Sequence, residues 1–185
     1  IMTKYVLATY QEAGFKKTAI VIEDKLYDLA AAYEAVNGVA APAWTQSVEQ
    51  VIESLETSAS ELDAFATQVA NVASAGDLAV IEGSDEKLLA PFKPNRIFGT
   101  ASNYHEHAAE METVLAAKSE SSPYVFMKAT SSVIGTNATV MIPPETEKPD
   151  WEVELGVIIG RSGRRINVED AIDYIAGYTV VNDVS

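Results

Sequence analysis

The chain has 185 residues and a mass of 19.9 kDa, a length that suits one domain or one domain with a small appendage. Its 13 basic and 27 acidic side chains give a formal net charge of −14, which disfavours binding to nucleic acids and to anionic membranes. Cysteine is absent, and this excludes disulfides, thiolate nucleophiles and Cys-ligated metal sites. We therefore expect a cytoplasmic protein that binds neither nucleic acid nor membrane.

The segment 1–92 has the pattern of a small α+β domain. Lys4–Tyr10 is rich in residues that favour β-strands, and 18–22 and 26–29 follow as two further short strands. The polar residues between the second and third strands favour a turn. Together these three strands predict a small antiparallel meander.

Helical spacing begins after Ser47. Apolar residues then recur at i, i+3, i+4 and i+7, and the pairing of this serine with a glutamine three positions later fits a capping box. The apolar positions are Val48, Val51, Ile52 and Leu55. Ser58 predicts the start of a second helix after a break, and 78–81 has the pattern of a short strand. The polar, proline-containing segment 82–93 predicts a domain boundary, so that the domains are 1–92 and 93–185.

Residues 93–185 have the pattern of a mainly β domain. The predicted strands lie at 96–100, 124–128, 139–142, 151–160 and 177–184. Asn103 can cap a helix over 104–118, and Asn167 can cap a short helix over 168–175. The predicted fold class is therefore α+β, in which a small α+β domain precedes a mainly β domain.

Two glutamates in the predicted strand 151–160 form the strongest local signal for chemistry. Alternate side chains of a strand share one face, so Glu152 and Glu154 point the same way while the apolar residues around them point into a core. Two adjacent carboxylates repel each other unless a cation lies between them, and Mg²⁺ and Ca²⁺ prefer oxygen ligands. Asp183, at the end of the next strand, could complete a three-carboxylate site. The alternative is an exposed edge strand with both glutamates in water and Asp183 in a turn.

A histidine and a lysine are the other candidates. His107 and Glu110 are three residues apart in the predicted helix 104–118, hence on one face, where the carboxylate can orient the imidazole as a base. The alternative is a solvated surface pair. Lys128 ends an apolar strand and could bind an anionic substrate, or simply reach water. No phosphate-binding loop is present, so nucleotide binding is not indicated.

Taken in order, five stretches of the sequence resemble the fumarylacetoacetate hydrolase family. They are Asn103–Met111, Phe126–Ser132 with Ile134-Gly135, Asp150–Leu155 with Val157–Gly160, Asp173–Tyr178, and Asn182–Ser185. The resemblance covers 94–185, and the preceding residues resemble the small N-terminal domain of many bacterial members. It implies a rolled-sheet or barrel-like catalytic domain, a homodimer, and a chain that continues beyond Ser185.

The resemblance also implies a metal centre. Glu152, Glu154 and Asp183 match the ligands of Mg²⁺ or Mn²⁺ in the family, and their oxygen chemistry also admits Ca²⁺. His107 matches the family's general base, and Glu110 matches the carboxylate that partners it. Lys128 matches a residue that binds the carboxylate or keto oxygens of the substrate.

These roles imply a metal-dependent hydrolase that cleaves a C–C bond of a small anionic β-diketo acid, such as an acylpyruvate or a fumarylpyruvate. The base activates a water molecule, and the metal stabilises the negative charge that develops on the substrate oxygens. Oxaloacetate decarboxylation, ureidoglycolate lysis and deoxy sugar-acid conversion are alternatives that use the same metal site. A third hypothesis is a module that binds a metal or a partner without turnover.

Overall fold

The computed structural model describes residues 4–101 and 122–185, together with residues 104, 109 and 120. The chain divides into two compact units. One comprises the residues up to Phe92 together with Gly135–Ser185, and the other comprises Lys93–Ile134. Within the described residues, every helix is too short or too polar to span a lipid bilayer. The division into domains 1–92 and 93–185 stays a prediction.

The predicted meander is confirmed as a three-stranded antiparallel sheet in the order β1-β2-β3. Its strands are β1 (Val6–Glu12), β2 (Phe15–Ile22) and β3 (Lys25–Asp28). Two-residue turns join them, at Ala13-Gly14 and at Glu23-Asp24, and all four turn residues have positive φ angles. That combination matches the right-handed twist of the flanking strands, which is why the turns can be so short.

Two helices follow the sheet. Helix α1 (Leu29–Asn37) begins at Asp28, whose carboxylate accepts a hydrogen bond from the N–H of Ala31, and ends at Gly38 in the left-handed conformation. Helix α2 (Val48–Ser74) begins at Ser47, whose hydroxyl accepts from the N–H of Gln50, as the capping box predicts. The prediction of two helices in this region is wrong, because the helix runs without a break past Ser58.

The apolar core of this region lies between the sheet and the two helices. Its buried members are Ile20, Ile22, Tyr27, Leu29, Ala32, Val51, Leu62, Phe65, Ala66 and Val69. The other face of the sheet carries a smaller cluster of Tyr10, Ala19 and Leu26, covered by Ile81 and Leu88. The sheet is thus covered on both faces, which accounts for the predominance of β-branched residues in β2.

Helix α1 was not expected from the sequence, and two predicted strands do not form. Residues 78–81 form no strand, although the N–H of Ile81 donates to the carbonyl of Leu26 at 2.9 Å. Residues 139–142 lie in an irregular, exposed segment without a strand. A short β-rich run only favours the extended conformation. A strand forms when a partner can pair with it at the right register. The short helix α3 (Ser84–Lys87) interrupts the connection.

The remaining strands form two antiparallel hairpins. Strands β4 (Ile97–Ala101) and β5 (Tyr124–Lys128) pair with each other in the second unit. Strands β6 (Val153–Ile159) and β7 (Ile175–Asn182) pair in the first unit, joined through a 3₁₀ helix at Val168–Tyr174. The mixture of helices with small antiparallel sheets confirms the predicted α+β class. The predicted helix 104–118 lies outside the described residues.

One face of the β6–β7 hairpin is apolar and exposed. Val153, Leu155 and Val157 are 62%, 60% and 48% exposed, and Val180, opposite Leu155, is 75% exposed. The prediction that these side chains point into a core is therefore wrong within the described residues. The strand does alternate between its two faces as predicted, with the apolar side chains more exposed than the residues between them.

Candidate metal centre

The register of the β6–β7 hairpin brings three carboxylates to one end of one face. Val153 lies opposite Asn182, so the next pair outward is Glu152 and Asp183. The N–H of Asp183 donates to the carbonyl of Glu152 at 2.9 Å, which continues the ladder beyond the regular strands. Directly opposed residues of an antiparallel pair point to the same side, and Glu154 joins them because it is two residues along the strand.

The three carboxylates are close together. Glu152, Glu154 and Asp183 each place one oxygen within 4.8 Å of an oxygen of the other two. All three side chains are partly buried, and Oδ1 of Asp183 is shielded from solvent. Three negative charges at this spacing in a partly desolvated place repel one another, so the arrangement favours a bound cation.

The backbone around these carboxylates is tied across the hairpin. Asp150 and Ser185 exchange two hydrogen bonds, of 2.8 and 3.3 Å, on the outer side of the carboxylate pair. The N–H of Glu152 donates to Oδ1 of Asn182 at 3.1 Å. Gly156 follows the glutamates on the same face, and a Cβ atom there would lie 2.8 Å from Cγ2 of Thr179. A larger residue at this position would therefore displace Thr179 on the facing strand beside the site.

The donor set fits a hard divalent ion. All three groups are carboxylates, which Mg²⁺, Mn²⁺ and Ca²⁺ prefer over softer ligands. Two ligands on opposite sides of one such ion are separated by about twice the metal–oxygen distance, roughly 4–5 Å. The observed upper limit of 4.8 Å is compatible with a single shared ion. Among the described His, Cys, Asp and Glu side chains, these three form the group that could hold it.

Of the other three predicted site residues, the structure describes only Lys128. Lys128 ends β5 in the second unit, opposite Ile97, and is partly buried. His107 and Glu110 lie outside the described residues, so their predicted roles stay predictions. Asn182 was not predicted as a site residue, although its amide contacts the backbone of a predicted ligand. Only the hairpin register reveals that contact, since the two residues are 30 positions apart.

Comparison with known proteins identifies, over the second half of the chain, the family that the sequence resembles. Residues 96–185 match the family model "Fumarylacetoacetate (FAA) hydrolase C-terminal". The chain is 36% identical over 145 residues to the protein named oxaloacetate tautomerase Fahd2a, mitochondrial, of Rattus norvegicus. That alignment covers 78% of this chain and 42% of the rat protein. The chain thus spans less than half the length of this relative.

Solved structures share the fold over nearly the whole chain. A fumarylacetoacetate hydrolase from Exiguobacterium antarcticum superposes with a TM-score of 0.59 at 21% identity, over 98% of this chain and 56% of that one. Maleylpyruvate hydrolase from Sphingobium sp. SYK-6, crystallised with manganese(II) and pyruvate, superposes with a TM-score of 0.62 at 24% identity. This second match covers 98% of this chain and 58% of the hydrolase.

Proposed function

The chain belongs to the fumarylacetoacetate hydrolase family, and we propose that it acts as a divalent-metal-dependent enzyme on small 2-oxo acids. One observation carries this proposal: three carboxylate oxygens of Glu152, Glu154 and Asp183 lie within 4.8 Å of one another. These residues would hold Mg²⁺ or Mn²⁺. The bound ion would neutralise part of their charge and stabilise negative charge on the substrate oxygens.

The remaining roles belong to residues of this chain that the family resemblance picks out. Lys128 would bind the carboxylate of the substrate through its ammonium group. His107 would accept a proton from a water molecule, and Glu110 would orient the imidazole and stabilise its charged form. The net charge of −14 makes such local positive groups necessary, because the surface as a whole repels anions.

The reaction that we propose is the hydrolysis of a C–C bond in a β-diketo acid of the acylpyruvate or fumarylpyruvate type. The water oxygen attacks the carbonyl that lies farther from the carboxylate, while His107 takes its proton. The bond between that carbonyl carbon and the neighbouring CH₂ breaks, and its electron pair stays with the pyruvate fragment, which then takes up a proton. The fold shared with a maleylpyruvate hydrolase supports this candidate.

A second candidate is the keto–enol tautomerisation of oxaloacetate. It is favoured by the 36% identity with the rat protein that carries this activity in its name. Tautomerisation moves one proton between C3 and the C2 oxygen, breaks no C–C bond and consumes no water. The same base could serve both reactions, so the two candidates differ in the fate of the carbon skeleton.

A panel of two substrates separates the candidates. Purified protein with Mn²⁺ or Mg²⁺ is mixed with an acylpyruvate or with enol oxaloacetate, with EDTA in parallel. Release of pyruvate from the acylpyruvate supports hydrolysis. Loss of the enol absorbance of oxaloacetate without pyruvate or CO₂ supports tautomerisation, whereas release of both supports decarboxylation.

Two substitutions test whether the chain uses these residues. His107→Gln should lower the rate roughly 10²–10⁴-fold, because it removes the base while keeping a polar side chain of comparable size. Glu147→Gln is the matched control, since this glutamate is exposed in the loop before the metal ligands. Protein that binds Mn²⁺ yet transforms neither substrate would overturn the enzyme proposal in favour of a binding module.

A further inference from the structure

At the end of the β6–β7 hairpin, the side chain of Asn182 bonds to the predicted metal ligand Glu152 on the facing strand. Asn182 itself precedes a second predicted ligand, Asp183. Regular pairing ends at Val153 and Asn182, one residue before Glu152 and Asp183. At that point the amide oxygen of Asn182 accepts a hydrogen bond of 3.1 Å from the backbone N–H of Glu152. The contact crosses the hairpin and adds to the bond from the N–H of Asp183 to the carbonyl of Glu152.

We infer that Asn182 is a positioning residue, which holds Glu152 at the distance from Asp183 that a divalent ion requires. This inference rests on the proposed function, because it assumes that the three carboxylates bind a metal. The amide oxygen of Asn182 accepts its hydrogen bond from the backbone N–H of Glu152, so the side chain acts on the carboxylate group through that backbone.

Charge repulsion among the three carboxylates explains why the hydrogen bond between Asn182 and Glu152 is needed. The three carboxylate oxygens lie within 4.8 Å of one another, so in the absence of an ion they tend to separate. The pair of Glu152 and Asp183 lies between the regular strands and the two bonds that Asp150 and Ser185 exchange, and within it the N–H of Glu152 is bonded to the side chain of Asn182. A hydrogen bond from the side chain next to Asp183 to the backbone of Glu152 opposes that movement and preserves the geometry before the ion arrives.

The test measures metal affinity and metal-free stability separately. Mn²⁺ is titrated into the protein and its Kd is determined from the loss of the free-ion EPR signal, and thermal unfolding is followed in EDTA. Asn182→Ala should weaken Mn²⁺ binding about tenfold, the lower end of the effect seen when groups that orient metal ligands are removed. Its unfolding temperature in EDTA should stay close to that of the wild type, because the amide is exposed.

Two further variants complete the design. Asn182→Asp keeps an oxygen acceptor at the same position and adds a negative charge beside the three carboxylates, so its Mn²⁺ affinity should equal or exceed that of the wild type. Asn167→Ala is the matched control, because that asparagine is also exposed and uses its amide to bind the side chain of Asp170 at 3.1 Å. It should leave the Kd unchanged.

The outcomes separate this inference from the proposed function. Wild type and Asn182→Ala with equal Mn²⁺ affinity would overturn the positioning role and leave the metal-dependent enzyme standing. If Asn182→Ala is less stable than wild type in EDTA but binds Mn²⁺ as tightly, Asn182 has a purely structural role. Wild-type protein that binds no Mn²⁺ would overturn both proposals together.

Discussion

Replacing Glu154 by glutamine should stabilise the metal-free protein while abolishing its stabilisation by divalent ions. The substitution keeps the shape of the side chain and removes one of three charges whose oxygens lie within 4.8 Å of one another. Two repulsive pairs are lost, those with Glu152 and with Asp183. The two effects have opposite signs, so they cannot both arise from general damage to the fold.

The magnitude follows from Coulomb's law. Two unit charges separated by 4.8 Å interact by about 0.9 kcal/mol in bulk water and by about 3.5 kcal/mol at an effective dielectric constant of 20. The side chains are partly buried, so we expect a gain of about 1–3 kcal/mol in the free energy of unfolding after screening by solvent. In wild type, Mn²⁺ at about one hundred times its Kd should add about 2.7 kcal/mol, and the variant should lose this increment.

Urea unfolding followed by circular dichroism measures both quantities, first in EDTA and then in Mn²⁺. The gain in EDTA should shrink as salt is added, because mobile ions screen the repulsion. Glu147→Gln, in the exposed loop, is the control and should change neither value. A Glu154→Gln protein that is less stable than wild type in EDTA would refute the claim that the three carboxylates repel one another.

Three further predictions concern the fold around the site and the N-terminal sheet. Asp28→Ala should cost about 2–4 kcal/mol of unfolding free energy, because its carboxylate caps α1 and accepts a hydrogen bond of 2.6 Å from the hydroxyl of the buried Tyr10. Gly156→Ala should cost about 1–3 kcal/mol and weaken Mn²⁺ binding, because its Cβ would clash across the hairpin. Burial and a hydrogen bond to a carboxylate raise the pKa of Tyr5 to about 12 from its ordinary 10.0. Stability from this tyrosine should therefore be complete below pH 10 and should fall as the pH rises to about 12, a loss that Tyr5→Phe should reduce.

Each of these predictions has a control and a contradicting result. Asp28→Asn retains an acceptor, so denaturant unfolding should show a smaller loss than for alanine, and equal losses would argue against the hydrogen-bond explanation. Gly177→Ala places its Cβ where nothing lies within 4 Å, so it should be neutral or slightly stabilising. Equal destabilisation by both glycine substitutions would contradict the steric argument. An unchanged pH profile for Tyr5→Phe, measured by unfolding in alkaline buffer, would assign the alkaline loss to other groups.

The sequence predicted well those features that depend on near neighbours. The helix start at Ser47 and the strand β5 were predictable because capping and strand propensity act within a few residues. The break predicted at Ser58 was wrong, since a serine can cap a helix or lie within one, and packing of the apolar stripe decides between them. Helix α1 was missed although its core-facing residues Leu29, Ala32, Tyr33 and Val36 recur at i, i+3, i+4 and i+7.

Burial was less predictable than secondary structure. The alternation of β6 was clear from the sequence, and it correctly placed Glu152 and Glu154 on one face. Which face of the hairpin is covered depends on the elements that pack against it. In the described residues, Leu155 and Val180 remain exposed on the apolar face, whereas the sequence favoured a core there.

The sequence by itself determined the α+β composition, the family of residues 96–185 and the pair of glutamates that share one face. Tertiary structure alone decided that Asp183 lies opposite Glu152, which it follows by 31 positions in the chain, and that Asn182 accepts a hydrogen bond from the backbone N–H of Glu152. The physical reason is that side-chain alternation is set by the local geometry of one strand, whereas the register of a hairpin is set by the whole connection between two strands. A shift of one residue would have turned Asp183 to the opposite face and left two carboxylates without the third.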